Sequence, residues 1–193
     1  NIIHVILFIA TVICLHSCLN PEIAEDGFLL YTIKKGEHKS SNEVKECTYL
    51  QLIFQVKFDE SAKYKLTDTL QQSDVNKLYG FNDCDEIVYN HNYSARFGWR
   101  YLKNQLQLLS YVYANGNRTI NILRNISIDS IYKCEIIIEK SKYIFKINDI
   151  PYDTTTRGCN QENYSKYYLY PYFGGENTAP QTIKIKIKDI SYK

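Results

Sequence analysis

The chain has 193 residues, 45% of them hydrophobic and 23% charged, the composition of one ordinary globular domain that buries roughly two thirds of its unfolded surface. Disorder, a collagen-like repeat and a minimal disulfide scaffold are excluded. Lys plus Arg (23) against Asp plus Glu (21) leave a formal net charge of +2. That is too balanced for the basic face on which nucleic-acid binding depends, so no nucleic-acid partner is expected.

The opening 17 residues carry no Lys, Arg, Asp or Glu. Ile2 to Leu15 is an apolar run too short to span a bilayer core of about 30 Å, and it reads as a signal peptide over 1–17. No positive n-region precedes it and the chain has no Met, so the leader is expected to be truncated at its start. Leu15-His16-Ser17-Cys18 is similar to the lipobox of bacterial lipoproteins. That resemblance implies lipidation of Cys18, a tether over 18–26, and export to the cell envelope as a membrane-anchored lipoprotein.

From Gly27 onward the dominant period is two. Ile183, Ile185 and Ile187 alternate with Lys184, Lys186 and Lys188 in the clearest half-buried strand. Other strands are expected over Phe28 to Lys34, Tyr49 to Phe58, Ala95 to Tyr101, Gln105 to Tyr113, Thr119 to Ile128, Ile131 to Glu139, Tyr143 to Asn148 and Tyr167 to Tyr172. Turn signals at Lys35-Gly36, Asn115-Gly116, Lys140-Ser141, Asn148-Asp149 and Gly174-Gly175 separate them. Asp74 to Tyr79, behind Ser73 as a cap, is expected as one helical turn. Such a succession of short strands predicts an all-β sandwich of two antiparallel sheets over 27–193, with Lys-studded strands such as 184–188 guarding its edges.

With the leader removed and Cys18 lipidated, four cysteines remain, which allow three pairings. Cys134 shares its alternation with Tyr132, Ile136 and Ile138 and is expected to be buried, whereas Cys84 and Cys159 fall in loop-like segments where they could pair. No CxxC or paired-histidine spacing suggests zinc. Sequons at Asn92, Asn117, Asn125 and Asn163 are read as chance triplets of an Asn-rich bacterial chain.

Tyr132 to Asn148, YKCEIIIEKSKYIFKIN, resembles a paired hairpin of the concanavalin A-like lectin and glucanase superfamily. Tyr168 to Pro180 followed by IKIKIKDI resembles the last strands of that jelly roll. The resemblance implies a jelly-roll β-sandwich. Arg96-Phe97-Gly98-Trp99-Arg100 is also similar in its arginine spacing to the Arg-x-Glu-x-Arg strand of family 7 polysaccharide lyases, the alginate lyases. Here Gly98 stands in place of the acid, Tyr170 to Gly174 has no lysine, and no Gln-Ile-His occurs, so the resemblance carries the fold rather than the reaction.

On a strand, Arg96 and Arg100 share one face, each about 7 Å from the Gly98 between them, a spacing suited to a carboxylate or sulfate. Ala95, Phe97 and Trp99 take the other face, and the single Trp is expected in the core. Tyr111 with Tyr113, and Tyr170 with Tyr172, are expected to present paired rings. If these strands share one sheet, Arg96, Arg100, Tyr111, Tyr113, Tyr170 and Tyr172 form a platform, with Asn115 adding an amide at its end. No paired acids of a glycosidase stand out, because Glu135 and Glu139 read as solvated charges. Asp83, Asp85 and Glu86 form an oxygen-rich loop that could hold a structural Ca²⁺, and no other cofactor is indicated. Two functions follow: a non-catalytic surface or periplasmic lipoprotein that binds carbohydrate or another extended ligand, and a polysaccharide lyase or glycoside hydrolase acting on an acidic polysaccharide. In the lyase, Arg96 and Arg100 would quench a uronate carboxylate, with Tyr170 or Tyr172 as base and acid.

Overall fold

A computed structural model describes residues 21–40, 42–86, 91–161 and 164–191. The leader, Cys18 and Asn163 lie outside the described residues. One sheet of seven strands runs in the spatial order β1 (Glu22–Ile23), β2 (Leu29–Ile33), β12 (Ile183–Asp189), β3 (Gln51–Phe58), β8 (Ile131–Glu139), β9 (Lys142–Ile147) and β10 (Ile150–Thr156). The other has five, in the order β11 (Tyr167–Leu169), β4 (Asn76–Asn82), β5 (Ser94–Leu102), β6 (Gln105–Ala114) and β7 (Asn117–Ile126). All pairings are antiparallel. The result is the jelly-roll β-sandwich expected from the period-two strands and the closing hairpin.

Alternation builds the core. Phe54, Val56 and Phe58 of β3 face Phe97 and Trp99 of β5, and the rings meet edge-on or tilted: Phe54 to Phe97 at 5.6 Å, Phe97 to Phe145 at 5.2 Å, Phe58 to Trp99 at 5.2 Å. Trp99 is wholly buried, as its face predicts. Cys47 and Cys134 are buried free thiols, while Cys84 and Cys159 form a disulfide. The hairpins turn through left-handed pairs that favour Asn, Asp and Gly: Lys103-Asn104, Asn115-Gly116 and Asn148-Asp149.

Two expectations are corrected. Asp74 to Tyr79 contains no helix; Asn76–Asn82 is β4, paired on both sides and buried throughout, so it lacks the alternation that marks a half-exposed strand. The nearby helical turn is a 3₁₀ segment at Thr69–Ser73, capped by Asp68. The lysine strand Ile183–Asp189 guards no edge, since it pairs with both β2 and β3; its lysines line the solvent face of an interior strand. β10, rich in Thr and Asp, lacks an apolar alternation and was not foreseeable from the period. β1 lies within the 18–26 stretch expected as a tether, with Glu22 opposite Leu30 and Ile23 opposite Leu29.

Candidate functional site

The outer face of the five-stranded sheet carries the polar half of each alternation. On β5, Ala95, Phe97 and Trp99 point to the core, so Arg96 and Gly98 point outward. Gly80 of β4 lies opposite Arg96, and a Cβ there would collide with the Ala95 carbonyl and the Arg96 side chain; its absence gives Arg96 room to lie across β4. Gly98 was expected to leave an open approach to the backbone. Instead the space is filled, because a Cβ on Gly98 would lie 2.6 Å from Val75 Cγ1.

Around Tyr111 three cations gather. Lys77 Nζ sits 5.4 Å from the Tyr111 ring centre and 5.2 Å from that of Tyr172, and it donates a hydrogen bond to the Gly174 carbonyl at 2.6 Å. Arg96 Cζ lies 5.6 Å from the Tyr111 ring, and Arg118, beside the Tyr111 and Tyr113 hydroxyls, favours the ionised form of Tyr111. Lys77 and Arg96 are only 8% and 7% exposed. Burial and the like charges of Arg96 and Arg118 press the Lys77 ammonium down to about 8, with Asp74 opposing. His91, whose ring is 5.0 Å from that of Tyr113, is held below its ordinary value by partial burial and by Arg96 and Lys77. Burial and the Tyr113 hydroxyl raise Tyr111. The segment before β5 is fixed by Glu86, which accepts the backbone N–H of Asn92 at 3.1 Å and of Tyr93 at 2.6 Å.

These groups line a cleft of about 880 Å³ that continues over the β11 edge onto Lys34, Glu37 and Lys39. There Lys39 and Lys77 both bridge to Tyr172. Pro171 has no N–H to offer a ladder, and β11 stops at Leu169. Tyr170 and Tyr172 consequently part company. Tyr170 stacks on Tyr31 at 5.8 Å against the core, although its edge still borders the cleft, while Tyr172 lies between His38, stacked at 5.2 Å, and Lys77. The expected paired presentation of these two rings is corrected accordingly.

Of the residues expected as a platform, the cleft brings together Arg96, Tyr111, Tyr113, Tyr170 and Tyr172. Arg100 lies outside it, its guanidinium spent on Gln107 Oε1 and the Ser73 carbonyl, both at 2.8 Å. Asn115 sits at the tip of the β6–β7 hairpin and accepts from the Tyr93 hydroxyl at 3.0 Å. Lys77, Arg118 and His91 were missed by sequence reasoning. Arg118 had a signal, since a hairpin at Asn115-Gly116 sets it opposite Tyr113; Lys77 had none while its segment read as helical.

Acid groups are placed elsewhere. Glu37 is the one carboxylate among the described residues lining the cleft. Glu135 is not a solvated charge: it is buried on β8 of the other sheet, against Lys133 at 3.0 Å and Gln51 at 3.1 Å. Glu139 is exposed beside Lys142. The Asp83 to Glu86 loop spends its oxygens on protein donors. Asp83 takes Arg157 Nε at 2.6 Å, Arg157 Nη2 at 3.0 Å and the Tyr143 hydroxyl at 2.8 Å; Asp85 takes the Ser165 N–H at 2.7 Å. With Glu86 committed as above, these groups face different partners and do not converge on one point where a Ca²⁺ would sit.

No family model matches the chain, and no curated protein matches it in sequence. Solved structures do match in shape. The alginate lyase AlyC3 aligns over 90% of this chain and 78% of its own, with a TM-score of 0.62 and 8% identity. A laminarinase from Flavobacterium sp. UMI-01 aligns over 86% and 78%, with a TM-score of 0.57 and 14% identity. A glycoside hydrolase family 16 endo-glucanase from Bacteroides ovatus aligns over 90% and 86%, with a TM-score of 0.54 and 8% identity. Two packed antiparallel sheets, alike in shape to these glucanase and alginate lyase structures, give this chain the concanavalin A-like jelly-roll fold.

Proposed function

We propose that the cleft binds an acidic polysaccharide. The observation that carries this reading is the gathering of Lys77, Arg96 and Arg118 around Tyr111, on the outer face of a sheet, with one carboxylate among the cleft's described lining residues. A cleft lined by Lys34, Lys39, Lys77, Arg96 and Arg118 against Glu37 draws an anionic ligand, and the half-buried Tyr113 and Tyr172 rings suit the apolar sides of sugar rings. A hydrolase would need two acids flanking the bond, which the described lining does not offer, so binding without cleavage is the leading reading. Titration with polygalacturonate, alginate and neutral laminarin tests it. Acidic chains are expected to bind and laminarin not to, with Arg118→Ala weakening binding about tenfold; equal affinity for laminarin would refute the reading.

A second reading, β-elimination of a uronate, is favoured by one pairing: a His91 kept neutral by its surroundings beside Tyr113, with Arg96 at hand. Arg96 would quench the carboxylate, the neutral imidazole would take the proton alpha to it, and a tyrosine hydroxyl would protonate the departing glycosidic oxygen. Ultraviolet absorbance from unsaturated products, abolished in His91→Ala, is the expected sign. Its absence over a panel of uronate polymers retires this reading and leaves the binding one standing.

The Leu15-His16-Ser17-Cys18 stretch supports an exported lipoprotein held through Cys18. Fatty-acid labelling of the chain expressed in a bacterial host, lost in Cys18→Ser, is the outcome expected of that anchor.

A further inference from the structure

The solvent face of the seven-stranded sheet is basic at its centre. Ile183, Ile185 and Ile187 fill the core, so Lys184, Lys186 and Lys188 stand outward along β12, successive ones about 7 Å apart. One row across the sheet reads Glu22, Leu30, Lys186, Lys57 and Ile131, each opposite the next. Lys186 therefore faces Lys57 directly on the neighbouring strand, a placement that costs stability for like charges. Few acids answer this cluster. Asp129 reaches Lys57 at 3.6 Å, and Lys188 donates to the Asp26 carbonyl at 2.9 Å. Lys184 and Lys186 have no ion-pair partner among the described residues. Lys133, the next lysine on β8, is already paired with Glu135 and Asp149, so the uncompensated charge is centred on β12. We propose that this lysine face docks on a bilayer that carries anionic lipids.

Two observations select a lipid surface over a soluble chain. None of Lys57, Lys184, Lys186 and Lys188 lines the cleft; they stand side by side on a sheet face, an arrangement that meets a surface of charges rather than a chain threaded in a groove. The covalent chain also leads there. Three residues separate Cys18 from Glu22, so an acyl group on Cys18 is tied within about 14 Å of β1. That strand is the edge of this same sheet, two strands from β12. Each lysine brought near an anionic headgroup layer strengthens binding roughly fivefold. With β12 against the lipid, the five-stranded sheet that carries Arg96, Tyr111 and Arg118 lies on the far side of the sandwich, where an extended glycan can enter. The orientation rests on the Cys18 anchor; the lysine face itself does not.

Sedimentation of the full chain with vesicles of phosphatidylcholine alone, and of phosphatidylcholine mixed with phosphatidylglycerol, tests the face. Binding is expected to favour the anionic vesicles and to weaken as salt is raised. A variant carrying Lys184→Gln, Lys186→Gln and Lys188→Gln should lose that preference by at least about tenfold. One carrying Lys65→Gln, Lys103→Gln and Lys140→Gln, which removes equal charge from exposed positions elsewhere, should keep it. Acetylation of the parent, read by mass spectrometry, locates the contact: anionic vesicles are expected to protect Lys184 and Lys186 and to leave Lys103 unchanged. If neutral vesicles bind as well, if the β12 variant binds like the parent, or if protection falls on the cleft lysines Lys34 and Lys39 instead, the lysine face is wrong. Equal protection of Lys184 and Lys186 by soluble polygalacturonate would also overturn it, by making the occupant a glycan. Lysine protection by vesicles without fatty-acid labelling removes only the Cys18 anchor and the orientation drawn from it; labelling without lysine protection removes only the docking face.

Discussion

At the scale of single residues, Lys77 couples the cleft to pH in two opposite directions. Its folded value of about 8 lies below the ordinary 10.5. Between those two values the unfolded chain therefore holds a proton that the folded chain has released, and stability climbs as pH rises across that window. Binding runs the other way, because an anion needs the ammonium. Affinity for an acidic glycan is expected to fall as pH rises past about 8, and Lys77→Arg, charged throughout, should flatten that fall; titrations at a series of pH values check it. A different residue carries stability without touching the cleft. Arg157 is fully buried with Asp83, fork to carboxylate, and Tyr143 donates to the same carboxylate. Arg157→Ala would strand that charge and is expected to cost about 3–5 kcal/mol in urea denaturation, whereas Arg100→Ala, which loses only partly exposed hydrogen bonds, should cost about 1 kcal/mol.

Among the elements, the Cys84–Cys159 disulfide joins the loop after β4 to the segment after β10 across a sequence separation of 75. A closure of that length removes roughly 4 kcal/mol of unfolded-state entropy, so reduction should lower the melting temperature by about 10 °C, measured with and without reductant. The elements also explain what was legible beforehand. β2, β3, β8, β9 and β12 alternate because one face meets the core and the other meets solvent, and in β5 and β6 apolar core residues alternate with the residues of the cleft face, so a period of two survives in the residues themselves. β4 is buried on both faces, so its pattern resembled a capped helical turn, and β10 holds Asp153, which accepts from Ser110 and Asn121 on the opposite sheet. The same division runs through the cleft. Arg96, Tyr111 and Tyr113 sit on alternating strands that hairpins bring side by side. Lys77 depends on β4 being a strand, and the fate of Arg100 depends on the carbonyl of Ser73, a neighbour 27 residues away that no spacing reveals.

For the whole molecule, the position of β12 decides when the fold can exist. Ile183, Ile185 and Ile187 are buried between β2 and β3 and join the first strands of the domain to the rest of the seven-stranded sheet. A chain ending at Thr182 would leave β1 and β2 without a partner on one side and open the core along its length. It is expected to lose cooperative urea unfolding altogether, whereas Lys186→Gln, on the solvent face of the same strand, should unfold like the parent. Synthesis runs from the other end, so the strand that locks the sandwich leaves the ribosome after every other strand described above. Until then β2 has no partner on that side and the seven-stranded sheet stays in two pieces, so the first strands of the domain wait on the last.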